Sequence, residues 1–130
     1  FVCSIMLRTS CMIVRMEADV LLLEALPTPI DLASVTQVFA FVDTLLTRRF
    51  QTFWDLRQCR KPPTWVVFHC LRWALRRRSA LNRCNTRLCV LVHGKLVSVV
   101  NVVLRGFGPT CPILVTQNEA ACQTFLSKGF

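Results

Sequence analysis

An unbroken apolar run, LCVLV at residues 88–92, limits the architecture of this chain more than any other segment. A strand with one face in water alternates apolar and polar residues, whereas a strand of a parallel sheet is covered on both faces and reads as a continuous apolar run. Residues 87–92 are therefore predicted to form a buried strand of a parallel sheet. Because parallel strands need crossover connections, usually helices, helical patterns are expected around it.

The first part of the chain predicts a pair of strands followed by a helix. Residues 12–15 and 19–24 are short apolar segments separated by an acidic turn, which is typical of two paired strands. Pro27 and Pro29 end the second strand, and Asp31 then supplies the N-cap of a helix. The apolar positions of this helix recur at the spacing of one helical face: Leu32, Val35, Phe39, Val42 and Leu46.

The middle of the chain predicts a strand, a loop and a helix. Phe50–Leu56 has the aromatic and β-branched enrichment of a strand and places Asp55 at its carboxyl end. Residues 57–63 contain two prolines and are expected to form a loop, after which Thr64 opens the helix. Its apolar residues fall on successive turns, at Trp65, Phe68, Leu71 and Leu75. Four arginines fall late in it, where the helix dipole favours cations: Arg72, Arg76, Arg77 and Arg78.

The last third predicts two more helices and one strand. Residues 82–86 have the composition of a polar turn. Residues 96–104 are rich in valine, which favours a strand, but their polar residues recur at three- and four-residue spacing. We predict a helix here, ended by Gly106 as a left-handed cap. Residues 111–115 predict a short strand, and Asn118 the N-cap of a final helix.

The order of these elements, ββαβαβαβα, predicts an α/β fold. We expect a single layered domain over residues 1–130, with a mainly parallel, mixed sheet of about five strands and about four helices. Residues 1–11 are expected to be an irregular or non-native N-terminal extension. Apolar residues make up 53% of the chain and supply a core. No run of about eighteen apolar residues is free of charged or strongly polar groups, so no transmembrane segment is expected.

The positive charge is concentrated in one part of the sequence. The formal net charge is +9, and residues 48–105 contain thirteen bases and one acid. Residues 1–47 have a net charge of −3, and residues 106–130 are neutral overall. A block this basic favours acidic proteins, nucleic acid or anionic lipid as partners. Most of its bases are arginine, which suits bidentate contacts with carboxylate or phosphate.

The eight cysteines lack the Cys-x-x-Cys spacing of a zinc site, and the chain has two histidines. We therefore expect no metal site. Most of the cysteines lie inside apolar runs, as Cys70, Cys89 and Cys122 do, and a free cysteine there behaves as a small hydrophobe. We expect reduced thiols, which, together with the lack of a recognisable export signal, predicts a cytoplasmic protein.

The sequence has no recognisable catalytic or nucleotide-binding motif. It contains neither a Gly-x-Gly-x-x-Gly fingerprint nor a Gly-x-Ser-x-Gly elbow, and its seven acids are scattered singly. We therefore expect a protein that is not an enzyme and has no cofactor. His93 follows the predicted strand at 87–92, at the edge where α/β proteins gather ligands, and is a candidate ligand-binding residue.

Several of these segments, in this order, resemble the STAS domain, the fold of anti-sigma factor antagonists. VLLLE at 20–24 and PTPIDLA at 27–33 resemble the second strand, the tight loop and the entry to the first helix of that family. FWDL at 53–56 and LCVLV at 88–92 resemble its next two strands, and PILVTQNEAA at 112–121 resembles a late strand and the start of its helix. The resemblance covers nearly the whole chain and implies a single STAS-like domain.

The resemblance implies a bacterial regulatory module that binds a partner through the loop and helix after Asp55. The expected partner is an acidic protein similar to an anti-sigma kinase. The residues expected to contact it are Asp55, Arg57, Arg60, Lys61, Arg72 and Arg76. The alternative is an anionic ligand, such as a lipid headgroup, a nucleotide or RNA, held by the same bases.

Thr64 has two interpretations. In STAS domains a Ser or Thr that follows the strand's Asp, and opens the second helix, is phosphorylated by the partner kinase, and the same count from Asp55 reaches Thr64. Thr is also a common N-cap, and Thr64 lies between Pro63 and Trp65 rather than beside an acidic residue and a glycine. We expect Thr64 to cap the helix.

Overall fold

The computed structural model describes residues 5–128, and these form a six-stranded mixed sheet and five α-helices. The strands are β1 (Ile5–Arg8), β2 (Met12–Glu17), β3 (Val20–Ala25), β4 (Phe50–Leu56), β5 (Asn85–Val92) and β6 (Ile113–Thr116). The helices are α1 (Leu32–Asp43), α2 (Thr64–Arg76), α3 (Arg78–Cys84), α4 (Val97–Phe107) and α5 (Glu119–Ser127). The α/β class is confirmed, with one strand and one helix more than predicted. Among the described residues, no helix is long and apolar enough to span a membrane.

The strands lie in the sheet in the same order as in the sequence, from β1 at one edge to β6 at the other. The first three strands are antiparallel to one another, and β3, β4, β5 and β6 run parallel. Crossovers between parallel strands are right-handed, so successive crossovers in one direction place their helices on one face of the sheet. The helices α1 to α4 lie on that face, and α5 covers the other one.

The strand β5 is the centre of the core, as its apolar run predicts. Leu88, Val90 and Val92 pack against residues of α2, α3 and α4. Cys89 and Leu91 point to the other face, where they pack against α5. All five side chains are almost fully buried, because helices cover the sheet on both sides at this strand.

The predicted starts of α1 and α5 are confirmed. Asp31 Oδ1 accepts from the backbone N–H of Ser34 at 2.7 Å. Asn118 Oδ1 accepts from the N–H groups of Ala120 at 2.9 Å and Ala121 at 3.3 Å. Both side chains satisfy amide groups that have no partner within the first turn of a helix.

The predicted end of α4 is wrong by two residues. Gly106 lies inside the helix, and Gly108, with a φ of 63°, is the left-handed residue that closes it. The place of Gly106 follows from packing instead. A Cβ at Gly106 would lie 2.5 Å from Leu71 Cδ1, so the missing side chain lets α2 approach α4 closely.

The polar turn predicted at residues 82–86 is also wrong, because α3 occupies most of it. Leu81 and Cys84 are buried there, and burial of an apolar face stabilises a short helix whose sequence is otherwise polar. Asn82 accepts from the backbone N–H of Thr110 at 3.1 Å, so its side chain serves a distant loop rather than a local turn.

The N-terminal extension expected at residues 1–11 contains a strand, since β1 pairs with β2 over Ile5–Arg8. Without β1, the strand β2 would leave an unpaired edge, and backbone pairing to such an edge depends little on which side chains the added strand carries. Residues 1–4 of the predicted extension lie outside the described residues.

The expectation of reduced thiols is wrong for one pair, because Cys89 of β5 and Cys122 of α5 form a disulfide. Both cysteines are buried, as predicted, but the two are 33 residues apart, and only the packing of α5 on the sheet brings them together. Cys11, Cys59, Cys70, Cys84 and Cys111 are free. The cytoplasmic location rested in part on free thiols and stays a prediction.

Candidate interaction site

The carboxyl end of β4 carries an ion-pair cluster. Arg57 lies just after the strand and bonds to Asp55 through two nitrogens on one edge of its guanidinium group, with Nη2 2.8 Å from Oδ2 and Nε 3.0 Å from Oδ1. Arg57 Nη1 also donates to Glu119 Oε2 at 3.2 Å, which ties the end of β4 to the start of α5. The structure therefore brings together two of the residues expected to contact a partner, Asp55 and Arg57, and Glu119 joins them.

Asp55 and Arg57 each stabilise the charged form of the other. The hydrogen bonds from Arg57, the largest cause, lower the pKa of Asp55, although partial burial of the carboxylate opposes the change. The same contact with Asp55 raises the pKa of Arg57 above its already high value. Both groups stay ionised at neutral pH, and most of the hydrogen-bonding capacity of Arg57 is already used within the domain.

His93 contacts the loop that follows this cluster, at residues 57–63. His93 Nε2 lies 3.1 Å from the carbonyl oxygen of Cys59, and the Cys59 side chain is buried. Arg60 and Lys61 follow immediately and are exposed. The structure therefore gives His93 a role in holding this loop, while the two bases point to solvent.

The predicted cap of α2 is wrong. Pro63 occupies the N-cap position, no side chain caps the helix, and Thr64 is its first residue and is exposed. A fixed φ near −65° suits proline to a helix start, so the chain begins this helix without a side-chain cap. The other interpretation of Thr64, a phosphorylation site, stays a prediction.

The helix α2 presents the opposite face to that expected from its apolar spacing. The residues expected on its apolar face include Trp65, Phe68 and Leu75, which are 45%, 63% and 46% exposed. The buried residues of α2 are Val66 and Ala74. The reason is that α2 has apolar residues on two faces, and only one of them can pack against α4 and the sheet.

Three apolar residues and two arginines of α2 share one exposed strip, which we call the α2 outer face. At about 100° per residue, the five positions fall within an arc of about 100°. The members are Trp65, Phe68, Arg72, Leu75 and Arg76, and all of them are exposed. The positions of Arg72 and Arg76 could have shown from the sequence that this strip faces solvent, since unpaired charges are rarely buried.

The arginines at the end of α2 differ in their partners. Arg77 pairs with Asp43 of α1, and its guanidinium carbon lies 5.5 Å from the centre of the Trp73 ring. Within residues 5–128, no carboxylate lies within ion-pair distance of Arg72 or Arg76. These two arginines therefore present their charges to solvent beside exposed aromatic rings.

No metal site is found in the described part of the chain: no three of its His, Cys, Asp and Glu side chains cluster closely enough to hold an ion.

The chain has no match among protein-family models or curated proteins. It is similar to a solved structure of an uncharacterized protein of the DUF3478 family from Shewanella loihica PV-4, which is described as having a SpoIIAA-like fold. The two structures superpose with a TM-score of 0.63 over 96% of this chain and 93% of the other, at 11% sequence identity. The chain therefore has the SpoIIAA-like fold, which is the fold of the STAS domains that its sequence resembles.

Proposed function

We propose that this domain is a non-enzymatic regulatory module that binds an acidic protein partner through the α2 outer face and the basic loop before it. The observation that carries the proposal is the α2 outer face itself, where exposed aromatic rings lie beside arginines that have no acidic partner among the described residues. Tryptophan and arginine are the residues that contribute most to binding at protein interfaces.

The surrounding charge supports an acidic partner of the anti-sigma kinase type. Arg60 and Lys61 extend the positive charge of the α2 outer face into the preceding loop. Arg57 is held by Asp55 and Glu119, so we expect it to position this loop rather than to supply a free charge. Partners that carry complementary charge associate faster and are selected over neutral or basic ones.

A capture experiment with matched charge reversals tests the proposal. The immobilised domain is exposed to an extract of its own cells, and the captured proteins are identified by mass spectrometry. The double variant Arg72→Glu, Arg76→Glu is expected to capture at least tenfold less of an acidic partner than the wild type. The control Arg83→Glu, Arg105→Glu makes the same change in net charge at exposed positions of α3 and α4 and is expected to retain it. Equal capture by both variants would contradict the proposal.

The alternative ligand is an anionic lipid surface, because aromatic residues beside arginines on one helical face also suit the interface of a membrane. Vesicles of phosphatidylserine, with phosphatidylcholine vesicles and a single-stranded RNA as controls, distinguish it. Salt-sensitive binding to the phosphatidylserine vesicles, lost in Arg72→Glu, Arg76→Glu and accompanied by no protein capture, would replace the acidic protein with a membrane.

A further inference from the structure

A cavity of about 220 Å³ lies between the sheet and the helices α1, α2 and α4. Its walls include Val35 of α1, Val67 of α2, Val103 of α4 and Trp54 of the sheet. Protein interiors are normally packed without voids larger than a water molecule. The apolar side chains around this space lack packing partners on that side, and a ligand that filled it would recover those contacts.

The lining of the cavity excludes a charged ligand. Among the described residues that line it, none is acidic or basic. Its polar side chains Thr52 and Asn85 bond to each other, and Asn85 Nδ2 also donates to the carbonyl oxygen of Leu81 at 3.1 Å. Two thiols are part of the wall, and burial raises the pKa of Cys70 to about 11 and also raises that of Cys59, so both are neutral.

The volume is sufficient for a small organic molecule. An engineered apolar cavity of about 150 Å³ stays free of water and binds benzene. The cavity of this domain is larger, so we expect it to accommodate one aromatic ring with a short substituent.

Two aromatic side chains are also part of the wall. Trp73 of α2 and Phe39 of α1 both line the cavity, and their rings stack on each other at a centroid distance of 4.5 Å.

We propose that this cavity is a binding site for an uncharged, apolar small molecule about the size of one substituted aromatic ring. This ligand site is separate from the proposed partner surface, because its walls are the buried side of α2 and the partner surface is the α2 outer face. The ligand would stabilise the packing of α2 on the sheet.

Titration of the full chain with ethylbenzene and acetophenone tests the site. The two probes have similar shapes, but acetophenone carries a carbonyl oxygen. We expect saturable binding of one molecule per chain by calorimetry, and a higher midpoint of thermal unfolding in its presence. Absence of both the heat and the thermal shift would overturn the proposal.

Substitutions of two neighbouring valines of α4 test whether the probes bind inside the cavity. Val103→Phe places a ring in the cavity and is expected to weaken both probes at least tenfold. Val102→Phe is the matched control, because Val102 is 57% exposed and outside the cavity wall. Val99→Phe, from the same wall, repeats the test if Val103→Phe does not fold. Equal binding by the Val102 and Val103 variants would show that the probes bind elsewhere.

Discussion

Asn118 and Thr64 stand at the starts of two helices, yet only Asn118 bonds to the backbone N–H groups of its helix. The difference comes from one preceding residue. Pro63 sets the backbone at the start of α2 and takes the N-cap position, so Thr64 lies one position inside the helix rather than at the position from which a side chain caps it.

Replacing each residue by alanine measures this difference. Asn118→Ala is expected to lower the free energy of unfolding by about 1 kcal/mol, because two backbone amides lose their acceptor. Thr64→Ala is expected to change it by less than about 0.5 kcal/mol. Urea denaturation of the two variants is the measurement, and equal losses would mean that Thr64 caps α2 after all.

Gly108 has a backbone conformation that favours glycine. Its φ of 63° lies in the left-handed region, and Gly108→Ala is expected to cost about 1 kcal/mol of stability. Gly94→Ala is the control, since a Cβ there would lie an ordinary 3.6 Å from the Gln117 side chain. Urea denaturation of both variants compares them, and a Gly108 variant as stable as the Gly94 variant would contradict the assignment of the cap.

Asp55 makes part of the stability depend on pH. Its pKa is lowered in the folded state, mainly by hydrogen bonds from Arg57, so its contribution is present above the unfolded pKa and is lost as the pH falls through the folded one. We expect Asp55→Asn to unfold at lower urea than the wild type at pH 7, and the difference to shrink below about pH 4. A difference that is the same at pH 7 and pH 3 would contradict this linkage.

At the scale of elements, α2 shows most clearly what sequence patterns can and cannot predict. Its existence and its basic end were predictable, because helical spacing and the preference of cations for helix ends are local properties. Which of its two apolar faces is buried was not, since this depends on where α4 and the sheet lie. The ion pair from Arg57 to Glu119 was equally hidden, because the two residues are 62 apart and meet only in the fold.

The same contrast between local sequence and long-range packing explains why β4 was predicted and α3 was not. The bounds of β4 were predicted correctly from composition alone. The helix α3 was missed because its stability comes from burying Leu81 and Cys84 against distant residues.

A pair of phenylalanines tests the orientation of α2. Phe68→Ala is expected to change the free energy of unfolding by less than about 0.5 kcal/mol, because the ring is 63% exposed. Phe107→Ala, which removes a ring that is 5% exposed from the core, is expected to cost about 3–5 kcal/mol. Thermal and urea denaturation report both values, and a large loss in Phe68→Ala would place its ring in the interior.

At the scale of the whole molecule, the disulfide between Cys89 and Cys122 fastens α5 to the buried strand β5 of the sheet. Because it closes a loop of 33 residues in the unfolded chain, the loop-entropy estimate of its contribution is about 3–4 kcal/mol.

The double variant Cys89→Ala, Cys122→Ala is therefore expected to unfold at lower urea than the oxidised wild type. Adding a reductant should lower the wild-type midpoint toward that of the variant and leave the variant unchanged. A wild-type midpoint that does not respond to reductant under conditions that reduce the bond would contradict this contribution.

The sheet order, which repeats the order of the sequence, also has a consequence for how the protein is made. Each new strand that leaves the ribosome can pair with the edge of the strand before it, because neighbours in the sequence are neighbours in the sheet. Contacts between elements that are close in the sequence favour rapid folding. We expect the domain to assemble progressively during translation, with α5 and its cysteine covering the opposite face of the sheet after β6 has joined it.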